Sequence, residues 1–175
     1  MTTLAGPLAI AAVLLVVGGA AKVRSPLDTA RALQGVGIGA TALVVRVLAS
    51  VEVAVGALAL LVDSRVLAAL VAVSYLAFAV FVVRALRADA PISSCGCFGK
   101  IDTPPSRVHV VIDGVIAVMA GAVAVVGTDV SLPAVLPDQP LLGVPFLLLV
   151  AIGVGLVFLA FTALPRTLAA VGRAA

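Results

Sequence analysis

Residues 142–164 read LGVPFLLLVAIGVGLVFLAFTAL, an apolar run with no charged residue from end to end. A bilayer core about 30 Å thick is crossed by about 20 helical residues, so this run is long enough for one span. Working outward from Leu142–Leu164, the same reading gives four more spans: Leu4–Ala21, Ala42–Val62, Val66–Leu86 and Val108–Val126. Backbone in lipid must satisfy its hydrogen bonds internally, which leaves helices or closed barrels. Barrel strands alternate in polarity over segments of about ten residues, whereas these runs are continuous and predominantly apolar. The expectation is an all-α integral membrane bundle of about five transmembrane helices.

The composition agrees. Of 175 residues, 63% are hydrophobic and 11% charged, with a mean hydropathy of +1.33. Soluble domains carry about 25% charged residues, so a soluble globular protein is excluded. The bilayer is the first partner implied, and no motif points to nucleic acid. The length suits a single domain over residues 1–175. There is no Trp and little other aromatic content, so the usual interfacial belt is weak. Met1 to Ala21 is uncharged and Gly19-Ala20-Ala21 has the small residues of a cleavage site. However, no Lys or Arg precedes Leu4 as a secretion signal requires, and no Gly follows Met1 for lipidation. The segment reads as a retained first helix.

The connections differ in character. Ser25-Pro26-Leu27-Asp28 is a turn and helix start within the first. Asp63-Ser64-Arg65 is a tight turn that predicts antiparallel packing of the helices it joins. Residues 87–107 end in Thr103-Pro104-Pro105-Ser106, which stiffens the approach to the fourth span. Five spans place the first and third connections and the carboxyl tail on one side of the membrane. That side carries Lys22, Arg24, Arg31, Arg84, Arg87, Lys100, Arg107, Arg166 and Arg173, against Arg65 with Asp63, Asp129 and Asp138 on the other. The positive-inside rule assigns the basic side to the cytoplasm.

The chain's two cysteines stand on that basic side, in Ser94-Cys95-Gly96-Cys97-Phe98-Gly99. Disulfides prefer Cα separations of about 5.5–6 Å, reachable two residues apart only with backbone distortion, which Gly96 permits. A strained bridge is readily reduced, and nearby Lys and Arg favour the attacking thiolate. Cys95 and Cys97 are therefore the candidate redox pair, with Gly96, Phe98 and Gly99 shaping the loop. The competing reading is a pair of inert, packed thiols. Zinc usually takes four ligands and the monomer offers two Cys and one His, so no metal site is assigned, although a dimer would supply four. Stable disulfides belong to oxidising compartments, which conflicts with the cytoplasmic side that the charges indicate.

Glu52 lies near the middle of the second span, where a carboxylate is costly and tends to face the bundle interior. Ala49, Gly56 and Ala59 share its face, so a neighbouring helix can approach closely. Two roles are open for it: proton relay or helix packing. Lys22 closes the first span, and snorkelling to the interface is its simplest reading. Arg46 either does the same or pairs with Glu52 across a helix contact. His109 opens the fourth span behind the cysteine loop, as a proton acceptor or as an interfacial His that needs no function. Asp113 lies one turn further along the same face.

Gly18-Gly19-Ala20-Ala21-Lys22, Glu52 with Gly56, and Cys95-Gly96-Cys97-Phe98-Gly99 together resemble the MauE/DoxX family of redox-associated bacterial membrane proteins. The Cys-Gly-Cys-Phe-Gly run points to its MauE branch, associated with methylamine utilisation. The resemblance implies a DoxX-like four-helix core plus one helix, in the bacterial inner membrane. It implies that Cys95 and Cys97 pass electrons or disulfides to an exported, often thioredoxin-like partner, with Lys22 and Glu52 as charged scaffold positions. Such a role suggests the outer side for the loop. A membrane quinone as terminal carrier is an extrapolation from thiol chemistry, since no quinone pocket is legible in the sequence. Two other functions compete. One is a non-enzymatic assembly subunit with structural or metal-binding cysteines. The other is a small-solute transporter with Glu52 in its path, although the broken helices and paired repeats typical of transporters are absent from the sequence.

Overall fold

The computed structural model describes residues 4–88, 104–127 and 130–167. Its helices are α1 (Ala5–Arg24), α2 (Pro26–Gly35), α3 (Ala42–Leu61), α4 (Arg65–Arg87), α5 (Arg107–Val126), α6 (Leu132–Val135) and α7 (Val144–Thr162). No strand occurs among the described residues, and α1, α3, α4, α5 and α7 are long and apolar enough to cross a membrane. Each matches an expected span to within a turn. The turn start at Ser25-Pro26 develops into the ten-residue α2, with Pro26 in its first turn and Asp28 near its positive end.

The bundle is built around α1. Ala5, Ala12 and Gly19, spaced by seven, present its smallest residues to α3, which answers with Ala49 and Gly56. A Cβ on Gly19 would lie 2.8 Å from the Ala49 carbonyl oxygen, and one on Gly56 would lie 2.7 Å from that of Ala12. The two backbones therefore run in contact, with 12→19 passing 56→49, and the pair is antiparallel. Dispersion across so close an approach is what holds helices together in lipid. Arg65, at the start of α4, donates to the Val126 carbonyl at the end of α5 at 3.4 Å, so these helices are also antiparallel. Ile10 meets Gly153, and Leu14 packs with Phe161, so α7 runs parallel to α1. The tight turn does bring α3 and α4 into contact, but the most extensive contacts join α1 to α3 and α4 to α5.

One end of the bundle thus holds Arg24, Arg31, Arg84, Arg87 and Arg107, and the other holds Asp63, Arg65 and Asp138. At the second end Asp63 acts as a staple. Its Oδ1 accepts from the backbone N–H groups of Val130 and Ser131, both at 2.7 Å, and its Oδ2 accepts from the Ser131 hydroxyl at 2.6 Å. Between the ends the outer surface is apolar, with Leu43, Leu58, Val66, Val118, Leu149 and Leu156 all exposed. In water such a girdle would be an aggregation site; in lipid it is the solvent-matched face.

Two outcomes follow. Gly56→Ala forces α1 and α3 apart and costs about 1–3 kcal/mol by overpacking. Gly121→Ala, with nothing within 4 Å of the added Cβ, is harmless. Equal thermal unfolding of the two variants in detergent would refute the close-approach account. Partial burial raises the Asp63 carboxyl, but the Ser131 hydroxyl and the Ser131 and Val130 N–H groups outweigh it and hold the group below its ordinary 3.8. A depressed carboxylate stabilises the fold above its unfolded value and loses that contribution as pH falls through the folded one. Melting temperature against pH should therefore fall below about pH 4 in the parent, with a shallower fall in Asp63→Asn, which is already less stable at neutral pH.

Candidate functional site

Lys22 and Glu52 meet inside the bundle. The Lys22 ammonium lies 2.5 Å from Glu52 Oε2, with side-chain exposures of 6% and 15%. Helical side chains tilt toward their own amino terminus. Lys22, near the carboxyl end of α1, is therefore directed back into the bundle, and Glu52 on antiparallel α3 is directed up to meet it. This corrects the reading of Lys22 as a snorkelling interfacial residue: α1 continues past it to Arg24, leaving the ammonium on the interior side. Arg46 is exposed and is not the partner of Glu52. Glu52 stands ten residues beyond the α3 start, which at 1.5 Å per residue is about 15 Å, or half the bilayer core.

Phe78 on α4 completes the arrangement, its ring centroid 4.2 Å from the Lys22 ammonium, which is cation–π distance. Tyr75, one turn earlier, packs edge-on to Phe78 with centroids 5.7 Å apart. Its hydroxyl donates to the Ala11 carbonyl at 2.8 Å, tying α4 to α1. Neither aromatic was singled out by sequence reasoning. The available signal was that Tyr75 is the chain's one tyrosine, set mid-span with Phe78 on the same face.

On α5, His109 and Asp113 are both buried, at 0% and 1% exposure. His109, near the start of α5, is therefore packed within the bundle and not on its surface. Its Nδ1 lies 2.8 Å from the Ser106 hydroxyl, and its ring packs on Phe161 of α7 at 5.4 Å between centroids. Ser106 occupies the helix-capping position, but its side chain makes no cap bond to the α5 backbone. Cys95, Gly96, Cys97, Phe98 and Gly99 lie outside the described residues. They belong to the segment joining the end of α4 to the start of α5, at the end toward which Lys22, Glu52 and His109 are gathered.

Two cavities adjoin the ion pair. A small one of about 20 Å³ is lined by Leu14, Gly18, Lys22, Glu52, Tyr75, Phe78, Asp113 and Phe161 among others, enough for about one water. A larger one of about 330 Å³ lies among α2, α3 and α4, lined by Thr29, Leu33, Val45, Leu48, Val51, Val73, Ser74, Ala77 and Phe81 together with Lys22, Glu52 and Phe78. Lys22, Glu52 and Phe78 thus form the partition between them. Among the described residues no group of three or more His, Cys, Asp or Glu could hold a metal ion.

An isolated mid-membrane carboxylate or ammonium is expensive, and breaking a buried pair by removing one partner costs about 3–5 kcal/mol, whereas replacing both by apolar groups is often neutral. Lys22→Met and Glu52→Leu should each lower the unfolding midpoint in detergent, and Lys22→Met/Glu52→Leu should recover most of the loss. Additive losses in that double-mutant cycle would show that the two groups are not coupled.

No curated protein and no solved structure gives a match to this chain. The family model described as methylamine utilisation protein MauE matches residues 1–126, which takes in α1 through α5. The chain belongs to the MauE family and, with its five apolar helices, is a multi-pass membrane protein.

Proposed function

We propose that this chain is a membrane thiol–disulfide redox protein whose Cys95–Cys97 pair passes disulfides to an exported, thioredoxin-like partner. A partner thiolate attacks the Cys95–Cys97 bridge, giving a mixed disulfide and one free thiolate on this chain. The partner's second thiolate then attacks the partner's own sulfur in that mixed disulfide and displaces this chain's second cysteine as thiolate. The partner leaves with a disulfide, and this chain keeps the two electrons and two protons as a dithiol. The family's description as a methylamine utilisation protein suggests methylamine utilisation as the setting for this exchange.

The observation that carries this reading is the position of the chain's two cysteines. They stand one residue apart, in the connection that leaves the bundle at the end where Lys22, Glu52, His109 and Asp113 are buried. Thiol exchange needs thiolate and a route for protons. Arg87, Lys100 and Arg107, near the pair in sequence, favour the first, and the buried His109 and Asp113 are suited to the second. The rival assembly-subunit reading needs neither.

Differential alkylation tests it. A membrane-impermeant maleimide, applied to right-side-out and inverted vesicles, should label Cys95 and Cys97 only after reduction, and the reactive vesicle type fixes the side of the loop. Cys97→Ser should abolish the reversible bridge and leave insertion intact. Thiols that label without reduction and never oxidise would favour the assembly subunit.

A further inference from the structure

The 330 Å³ cavity has the size of a small-molecule site, for which about 300–1,000 Å³ is usual. Its walls are apolar, and Leu48, Val51 and Val73 on its rim are exposed on the lipid-facing surface, so it opens sideways into the bilayer. Its inner end is charged: Lys22 and Glu52 both line it, beside the Phe78 ring. An occupant must therefore be soluble in lipid, flat enough to lie against an aromatic ring, and polar at the end that reaches the pair. An acyl chain satisfies the walls and leaves the charged end unmatched.

We propose that this cavity seats the head group of a lipid-soluble quinone. An ammonium carries three donors and Lys22 directs one to Glu52, leaving donors for a quinone carbonyl, which only accepts. The reduced quinol carries hydroxyls, which donate, and Glu52 is the acceptor beside them. The pair thus complements both oxidation states, and Phe78 offers its ring to either. Bound quinone would take up two electrons and two protons as the Cys95–Cys97 dithiol closes to a disulfide, forming quinol. That role as acceptor rests on the thiol–disulfide reading above; the binding itself does not. Protons have a polar route within the bundle: Lys22 and Glu52 share the small cavity with Asp113, and His109 stands one turn from Asp113 toward the loop end of α5.

The chain provides its own reporter. It contains no Trp and a single tyrosine, Tyr75, which packs against Phe78 behind the ion pair. Quinones quench tyrosine emission at short range. Titrating the full chain in lipid nanodiscs with a short-chain benzoquinone should give saturable quenching. Ala77→Phe, which fills the cavity from its exposed rim without touching the pair, should weaken it at least tenfold, as should Lys22→Met/Glu52→Leu. The Cys95→Ser/Cys97→Ser form should bind as the parent does. Quenching that rises linearly and equally in all forms would be partition into lipid and would overturn the proposal. So would saturable quenching in detergent that vanishes in nanodiscs, since acyl chains would then be the occupants. If the cysteines cycle in vesicles while no saturable site appears, the cavity assignment fails and the thiol–disulfide reading stands.

Discussion

The Lys22–Glu52 ion pair sets the terms for the rest of the bundle, because neither charge can be left alone at that depth. In a low-dielectric interior the attraction between two unit charges is strong and the desolvation of each is stronger still. The pair is tolerable only if the two groups touch, and the contact between α1 and α3 is what brings them together. Gly19 and Gly56 provide that approach, with Ala49 and Ala12 opposite them. The same contact fixes register: with the glycines seated against backbone carbonyls, the tilt of helical side chains brings ammonium and carboxylate to one level. Phe78 then places α4 against the pair, and Tyr75 ties α4 to α1 through the Ala11 carbonyl.

The bundle is divided along its length. Its principal apolar core joins Ala5, Leu8, Ala12 and Leu15 of α1 to Val55 and Ala59, Ala68 and Val71, and Ala120 and Val123. All of these lie toward the end closed by Asp63 and Ser131. Toward the other end the interior carries Lys22, Glu52, His109 and Asp113 instead. Close packing in the first half allows the second half to hold polar groups and cavities, which cost packing contacts.

Most of this architecture is legible in the sequence because lipid admits so few backbone solutions. Five long, predominantly apolar runs translate directly into five helices, and their ends follow from Pro26, Thr41, Ser64 and Gly127 at the boundaries. The interior position of Glu52 is legible too, since a carboxylate with Ala49, Gly56 and Ala59 on its face has one favourable direction to point. Its partner is not. Lys22 stands at the end of its apolar run, where a lysine can point either way, and only the continuation of α1 to Arg24 decides it. His109 is hidden for a related reason: Phe161, which covers it, lies 52 positions away on α7, and no local pattern announces that contact. Tyr75 and Phe78 look like ordinary span residues until the ammonium is placed beside them.

A bundle selected for stability alone would have little use for this interior. Replacing a buried ion pair by well-packed apolar residues is often neutral or stabilising, and helices with faces as small as those of α1 and α3 associate by packing without charged groups. The lysine and glutamate persist at the level where two cavities meet, one opening to lipid and the other bordered by Asp113 and Tyr75. The pair's placement, with a lipid-accessible cavity on one side and a small cavity bordered by Asp113 on the other, supports the redox reading proposed above. The same reasoning explains why the pair is a lysine with a glutamate and not two neutral amides. An ammonium only donates and a carboxylate only accepts, so the pair presents a fixed donor beside a fixed acceptor, whereas each amide presents both.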